Sequence, residues 1–154
     1  MTIDIIELPV RGMDQLQLEA RAQGYQFIDR LVEEWNSAVN RFDGQGEILF
    51  GCFDDGALAA VGGLNRDPYA CDKGVCRIRR VYVRKDWRKR GIGRALVEAL
   101  IEKASRNFGT VRLRAETPEA FRLYESAGFV PIMSTDATHT LKLDINDDVL
   151  PWNP

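Results

Sequence analysis

Hydrophobic residues follow two different periods along this chain, and each change of period marks an element. Residues 3–8 are rich in β-branched side chains and run into Pro9 and Gly12, the pattern of a short strand that stops at a turn. From Asp14 the spacing of Leu16, Leu18, Ala20 and Ala22 is weakly helical. Phe27, Ile28, Leu31, Val32, Trp35 and Val39 then fall on one face of a second helix, parted from the first near Gly24. Apolar runs over 47–53 and 57–64 are joined by Asp54-Asp55-Gly56, which predicts a hairpin. A loop over 65–74 carries Asp67, Pro68, Asp72 and Gly74 and leads into a long, central strand over 75–83.

The second half reads as alternating helix and strand. Ile92, Ala95, Leu96, Ala99, Leu100 and Ala104 form the apolar face of a helix from Gly91 to about Arg106. Val111, Leu113 and Ala115 predict a fifth strand. Thr117-Pro118-Glu119 then supplies an N-cap, a proline at the first helical position and an acid in the first turn of a fourth helix, which ends at Gly128. Residues 129–132 and 139–143 read as two further extended segments that pair with each other. A hairpin meander followed by strand–helix–strand crossovers predicts one α/β (α+β) domain over 1–154. Its sheet is mixed, mostly antiparallel and of about seven strands, flanked by four helices.

Composition narrows the function. The 154 residues suit a single core, and a formal charge of -2 gives no net basic field for nucleic acid. The longest apolar stretches, such as residues 57–61, fall far short of the ~20 residues a membrane span needs, and acids interrupt the first apolar run, unlike a signal peptide. The expectation is a cytoplasmic protein that engages neither membrane nor nucleic acid. Three cysteines, Cys52, Cys71 and Cys76, and one histidine, His139, are too few for a zinc site, so no metal is expected. Free thiols are the leading reading, with a Cys71–Cys76 redox pair as the lesser one.

Local chemistry concentrates in Arg88-Lys89-Arg90-Gly91-Ile92-Gly93-Arg94, between the fourth strand and the third helix. Free backbone N–H groups at a helix N-terminus, glycines that admit close approach and four cations together make a pyrophosphate cradle. Neither the Walker pattern nor the dinucleotide fingerprint fits it.

Arg79-Arg80-Val81-Tyr82-Val83, followed by Arg88-x-x-Gly91-x-Gly93-Arg94-Ala95-Leu96, resembles the acetyl-CoA motif of the GNAT superfamily of N-acetyltransferases. Ala120-Phe121-Arg122-Leu123-Tyr124 through Gly128-Phe129 resembles that superfamily's A-x-x-L-Y-x-x-x-G-F helix. The likeness is strongest over residues 57–130. It implies a fold whose fourth and fifth strands splay apart around acetyl-CoA. The backbone of Val81, Tyr82 and Val83 would hold the pantetheine arm, and the amides of Arg88, Lys89, Arg90, Gly91, Ile92, Gly93 and Arg94 the pyrophosphate. Tyr124 would be the general acid for the departing thiolate, as suits a phenol that is protonated at neutral pH.

Two departures from the family pattern stand out. Many members carry a glutamate on the fourth strand near the position of Arg77 or Arg79, so the base here is sought elsewhere: Glu116 first, then Glu47 and His139. The loop after the fifth strand is short and puts Thr117 where relatives contact pantetheine through an amide. Strand alternation puts Arg77 and Arg79 on one face and Arg80 on the other, and either of the first two, if it faces the acceptor cleft, would favour a carboxylate-bearing acceptor such as an amino acid or peptide end. The expected partners are a small-molecule amine or peptide and, for a homodimer, a second copy. The competing reading is a non-catalytic acyl-CoA sensor.

Overall fold

The computed structural model describes residues 1–143. The acidic, proline-bounded tail over 146–154, including Trp152, lies outside the described residues. Among the described residues, seven strands form one sheet in the order β1-β2-β3-β4-β5-β7-β6: β1 (Thr2–Ile5), β2 (Ile48–Asp54), β3 (Ala57–Arg66), β4 (Val75–Val83), β5 (Thr110–Leu113), β6 (Val130–Pro131) and β7 (His139–Lys142). Four helices, α1 (Met13–Ala22), α2 (Phe27–Asn36), α3 (Ile92–Ala104) and α4 (Pro118–Ser126), cover it. Within this sheet only β4 and β5 pair in parallel; every other neighbouring pair is antiparallel.

The helices divide between the two faces. Leu96, Leu100 and Ala104 of α3 and Tyr124 of α4 pack with Ala60, Leu64, Cys76 and Ile78. Leu16 and Ala20 of α1 and Ile28 and Leu31 of α2 pack with Leu49, Leu58, Val61 and Tyr82 on the other face. β3 is therefore buried on both sides, which is why it reads as a near-continuous apolar run. Gly63 is a close-approach position: a Cβ there would lie 2.3 Å from the ring of Phe42, which covers the strand.

Two irregularities of β4 shape the rest of the molecule. Its ladder with β5 holds only at Val75↔Thr110, Cys76↔Val111 and Arg77↔Arg112, because β5 ends at Leu113 and the chain leaves for α4. From Ile78 to Val83 the β5-facing edge of β4 has no strand beside it among the described residues, so the sheet opens into a wedge. On its other edge β4 carries a β-bulge, where the register passes from Gly63↔Arg79 to Val61↔Tyr82 and Arg80 sits at φ 62. Two residues, Arg80 and Val81, thus oppose Gly62 alone.

The bulge corrects the expected alternation of arginines. Before it Cys76 and Ile78 face α3; after it Val81 and Val83 do. The face of Arg77 and Arg79 is consequently continued by Arg80, whose guanidinium bonds Glu34 of α2 at 3.0 Å. All three arginines lie on the α1/α2 face.

Candidate active site

The residues between β4 and α3, where the sequence predicts a cradle, form a turn that leads into an uncapped helix. A 3-10 turn, Lys85–Trp87, carries the chain off the strand, pinned by a bond from the Trp87 indole N–H to Asp54 (3.0 Å). Lys89 (φ 62) and Gly91 (φ 79) then adopt left-handed backbone, and α3 starts with no side-chain cap. The first-turn N–H groups of Ile92, Gly93 and Arg94 therefore lack intrahelical acceptors and stand at the positive end of the helix. A Cβ at Gly93 would meet Leu123 and Val83 at 3.5 Å, so the cradle lies where β4, α3 and α4 converge. Uncapped amides, left-handed turns and local cations are a donor set that fits a pyrophosphate.

The four cations differ in their freedom to help. Arg88, though exposed, folds back along the strand, donating to the Val83 carbonyl and to Gln23 at the end of α1 at 2.8 Å each and lying over the Tyr82 ring. Arg94 bridges Glu98 and Ser126. Arg90 approaches Asp54 at 3.9 Å, and Lys89 is exposed. Arg88 thus has a holding role for its side chain that the motif does not announce. Tyr82 likewise presents only backbone to the wedge, because its buried hydroxyl donates to Glu19 at 2.7 Å.

Tyr124 is buried on α4, edge-on to Phe129 with ring centroids 5.7 Å apart. Its hydroxyl makes no hydrogen bond among the described residues, and burial alone pushes its pKa well above the ordinary phenol value. A buried phenol held protonated and without a partner is free to give its proton to an incoming group. Thr117 spends its hydroxyl capping α4, accepting from the Ala120 N–H at 3.1 Å.

Of the base candidates, Glu116 lies exposed just beyond β5. Glu47 closes a loop, accepting from the Gly44 and Arg66 N–H groups at 3.0 and 2.9 Å. His139 is fully buried between Thr138 Oγ1 and Glu125 Oε2, 2.8 Å from each, and ties β7 to α4. Cys52, Cys71 and Cys76 are free thiols, and burial pushes Cys76 up to about 12. No cluster of metal ligands and no helix long and apolar enough to cross a membrane occurs among the described residues.

The α1/α2 face carries charged residues that no motif marks. Asp67, buried, accepts from Arg77 and Arg112 at 3.5 Å each and caps its own turn through the Tyr69 N–H. Arg77 also donates to the Asp136 carbonyl, and Arg112 to the Asp136 carboxylate. The loop over 133–138 is thereby drawn across β4 and β5, with Arg114 holding the Thr135 carbonyl. Glu34 meets the bulge from α2.

A family model described as the acetyltransferase (GNAT) family matches residues 12–129. The chain belongs to that family. Among solved structures it is similar to a protein from Exiguobacterium sp. 255-15 assigned as an acetyltransferase, at 25% identity and TM-score 0.79, covering 92% of this chain and 94% of that one. A phosphinothricin acetyltransferase from Sinorhizobium meliloti, solved with acetyl-CoA, matches at TM-score 0.74 and 14% identity over 99% and 94% of the two chains. A ribosomal-protein-alanine N-acetyltransferase from Brucella melitensis matches at TM-score 0.66 and 16% identity over 92% and 96%. The last two show that this GNAT chain shares their fold.

Proposed function

We propose that this GNAT chain is an acetyl-CoA-dependent N-acetyltransferase that delivers the acetyl group directly to a primary amine of a small molecule, amino acid or peptide. The observation that carries the reading is the unpaired Ile78–Val83 edge opening beside the uncapped N-terminus of α3. A strand edge accepts an extended, amide-bearing arm as it would another strand, and the helix end accepts that arm's phosphates. The backbone of Val81, Tyr82 and Val83 holds the arm, and the amides from Arg88 to Arg94 hold the pyrophosphate. Bound acetyl-CoA supplies an activated thioester.

The protein's residues then have three tasks. The backbone N–H of Val81, beside the bulge, is the donor we assign to the charge that develops on the thioester oxygen. Tyr124 gives its hydroxyl proton to the departing sulfur as the amine nitrogen bonds the acetyl carbon. Glu116 receives the proton that the amine loses, directly or through water. No covalent enzyme intermediate is required.

Calorimetric titration with acetyl-CoA, followed by release of free CoA thiol over a panel of primary amines, tests the reading. Binding with amine-dependent thiol release is the expected result. Binding without release by any amine would favour a non-catalytic sensor. No binding would overturn both.

A further inference from the structure

We infer that the acceptor carries a carboxylate and that Arg79 is the residue that binds it. This inference rests on the N-acetyltransferase reading and adds a specificity determinant to it. β4 brings three guanidinium groups to the α1/α2 face, and their surroundings differ. Arg77 is consumed: its side chain, 7% exposed, is paired with Asp67, bonded to the Asp136 carbonyl and stacked on Tyr69 at 4.8 Å. Arg80 is half-satisfied, its side chain 10% exposed with one bond to Glu34 and a sealed Nε that has no partner among the described residues. Arg79 has no ion pair and no side-chain hydrogen bond among the described residues, although it is partly buried.

Charge makes the same point. Asp67 and Asp136 are committed to Arg77 and Arg112, and Glu34, whose charge still favours that of Arg79, is bonded to Arg80, so Arg79 has no ion pair of its own among the described residues. Burial, then the neighbouring Arg80, opposes that charge and draws the Arg79 guanidinium below its usual value. A partly buried guanidinium with no ion pair and with nitrogens still open to solvent can receive an incoming group, and a bidentate carboxylate is the ligand that matches its fork. The placement suits a substrate site. Arg79 pairs in register with Gly63, next to the bulge and two residues before Val81, where the sheet opens. An acceptor held at Arg79 through its carboxylate would therefore reach toward the Val81 segment with its amine. The strained φ of Arg80 accords with this, since the bulge is what adds a third cation to the face.

Matched acceptors provide the test: amino acids, their carboxamides and the corresponding decarboxylated amines, assayed by CoA thiol release with saturating acetyl-CoA. The expected result is a kcat/KM at least tenfold higher for carboxylate acceptors, with R79Q raising their KM about 10- to 100-fold and R79K restoring part of that loss. A purely structural role for Arg79 would instead lower kcat for amides and acids alike and would lower the melting temperature. Equal kcat/KM for acids and amides, or an R79Q KM for acids within about twofold of wild type, overturns the carboxylate site while leaving the acetyltransferase reading intact. Failure of the wild-type protein to bind acetyl-CoA would overturn that underlying reading instead.

Discussion

The two sides of the wedge are built by opposite means. On the α3/α4 side the chemistry rests on backbone: amides without acceptors, left-handed turns at Lys89 and Gly91, and one buried phenol. On the α1/α2 side it rests on long side chains from β4, β5, α2 and two loops, paired across gaps of 10 to 59 residues in sequence. Backbone geometry demands particular residues at fixed local spacing, so it writes a motif. A charge network can be met by many combinations of acids and bases, so it writes none. The α3/α4 side is thus marked by local motifs and the α1/α2 side is not.

The contrast is greatest at Asp67. D67N should remove the carboxylate shared by Arg77 and Arg112 and leave the buried Arg77 without a counter-ion, while Arg112 keeps Asp136, a destabilisation of roughly 3–5 kcal/mol read by chemical denaturation. Acetyl-CoA affinity measured on the remaining folded protein should fall far less, because the cradle shares no side chain with that network. An equal loss of both would show the two sides to be one cooperative unit.

Y124F tests the other side. It keeps the ring against Phe129 and removes the proton, so kcat should drop about a hundredfold or more while the melting temperature stays near wild type. A rate within about threefold of wild type would remove Tyr124 from the chemistry. G91A places a Cβ at φ 79 and should cost about 1–2 kcal/mol of stability, with acetyl-CoA Kd rising as the helix start is displaced. The smallest effect is expected at Glu19. Burial raises its pKa, but bonds from the Tyr82 hydroxyl, the Lys85 N–H and Arg84 outweigh that and hold it below its ordinary 4.5. A depressed carboxylate stabilises the fold above its unfolded value and loses that contribution as pH falls. Wild type should therefore lose more melting temperature than E19Q below about pH 4.5.

The same division governs how much of the molecule is legible in its amino-acid sequence. Period, caps and glycines are local signals, and they place all seven strands and four helices within a few residues of their observed limits. The glycine turn into α3 is equally legible. The face of Arg80 is not, because alternation assumes a regular strand and the bulge inserts one residue at a position no glycine announces. Arg88 carries the motif but not its bonds to Gln23 and Val83, which depend on α1 lying alongside. Asp67 reads as loop punctuation, although it is the buried anchor of two arginines, and Glu34 is one acid among several on a helix.

The bare edge of β4 also bears on how the protein survives in solution. Ile78–Val83 is an internal margin with no strand beside it among the described residues, its Val83 carbonyl met by Arg88, and an unpaired edge is the kind of surface on which a second chain can nucleate strand addition. A ligand lying along it would mask that margin and, at a concentration about a hundred times its Kd, would add about 2.7 kcal/mol to the native state. Scattering during heating, with and without acetyl-CoA, would follow that protection.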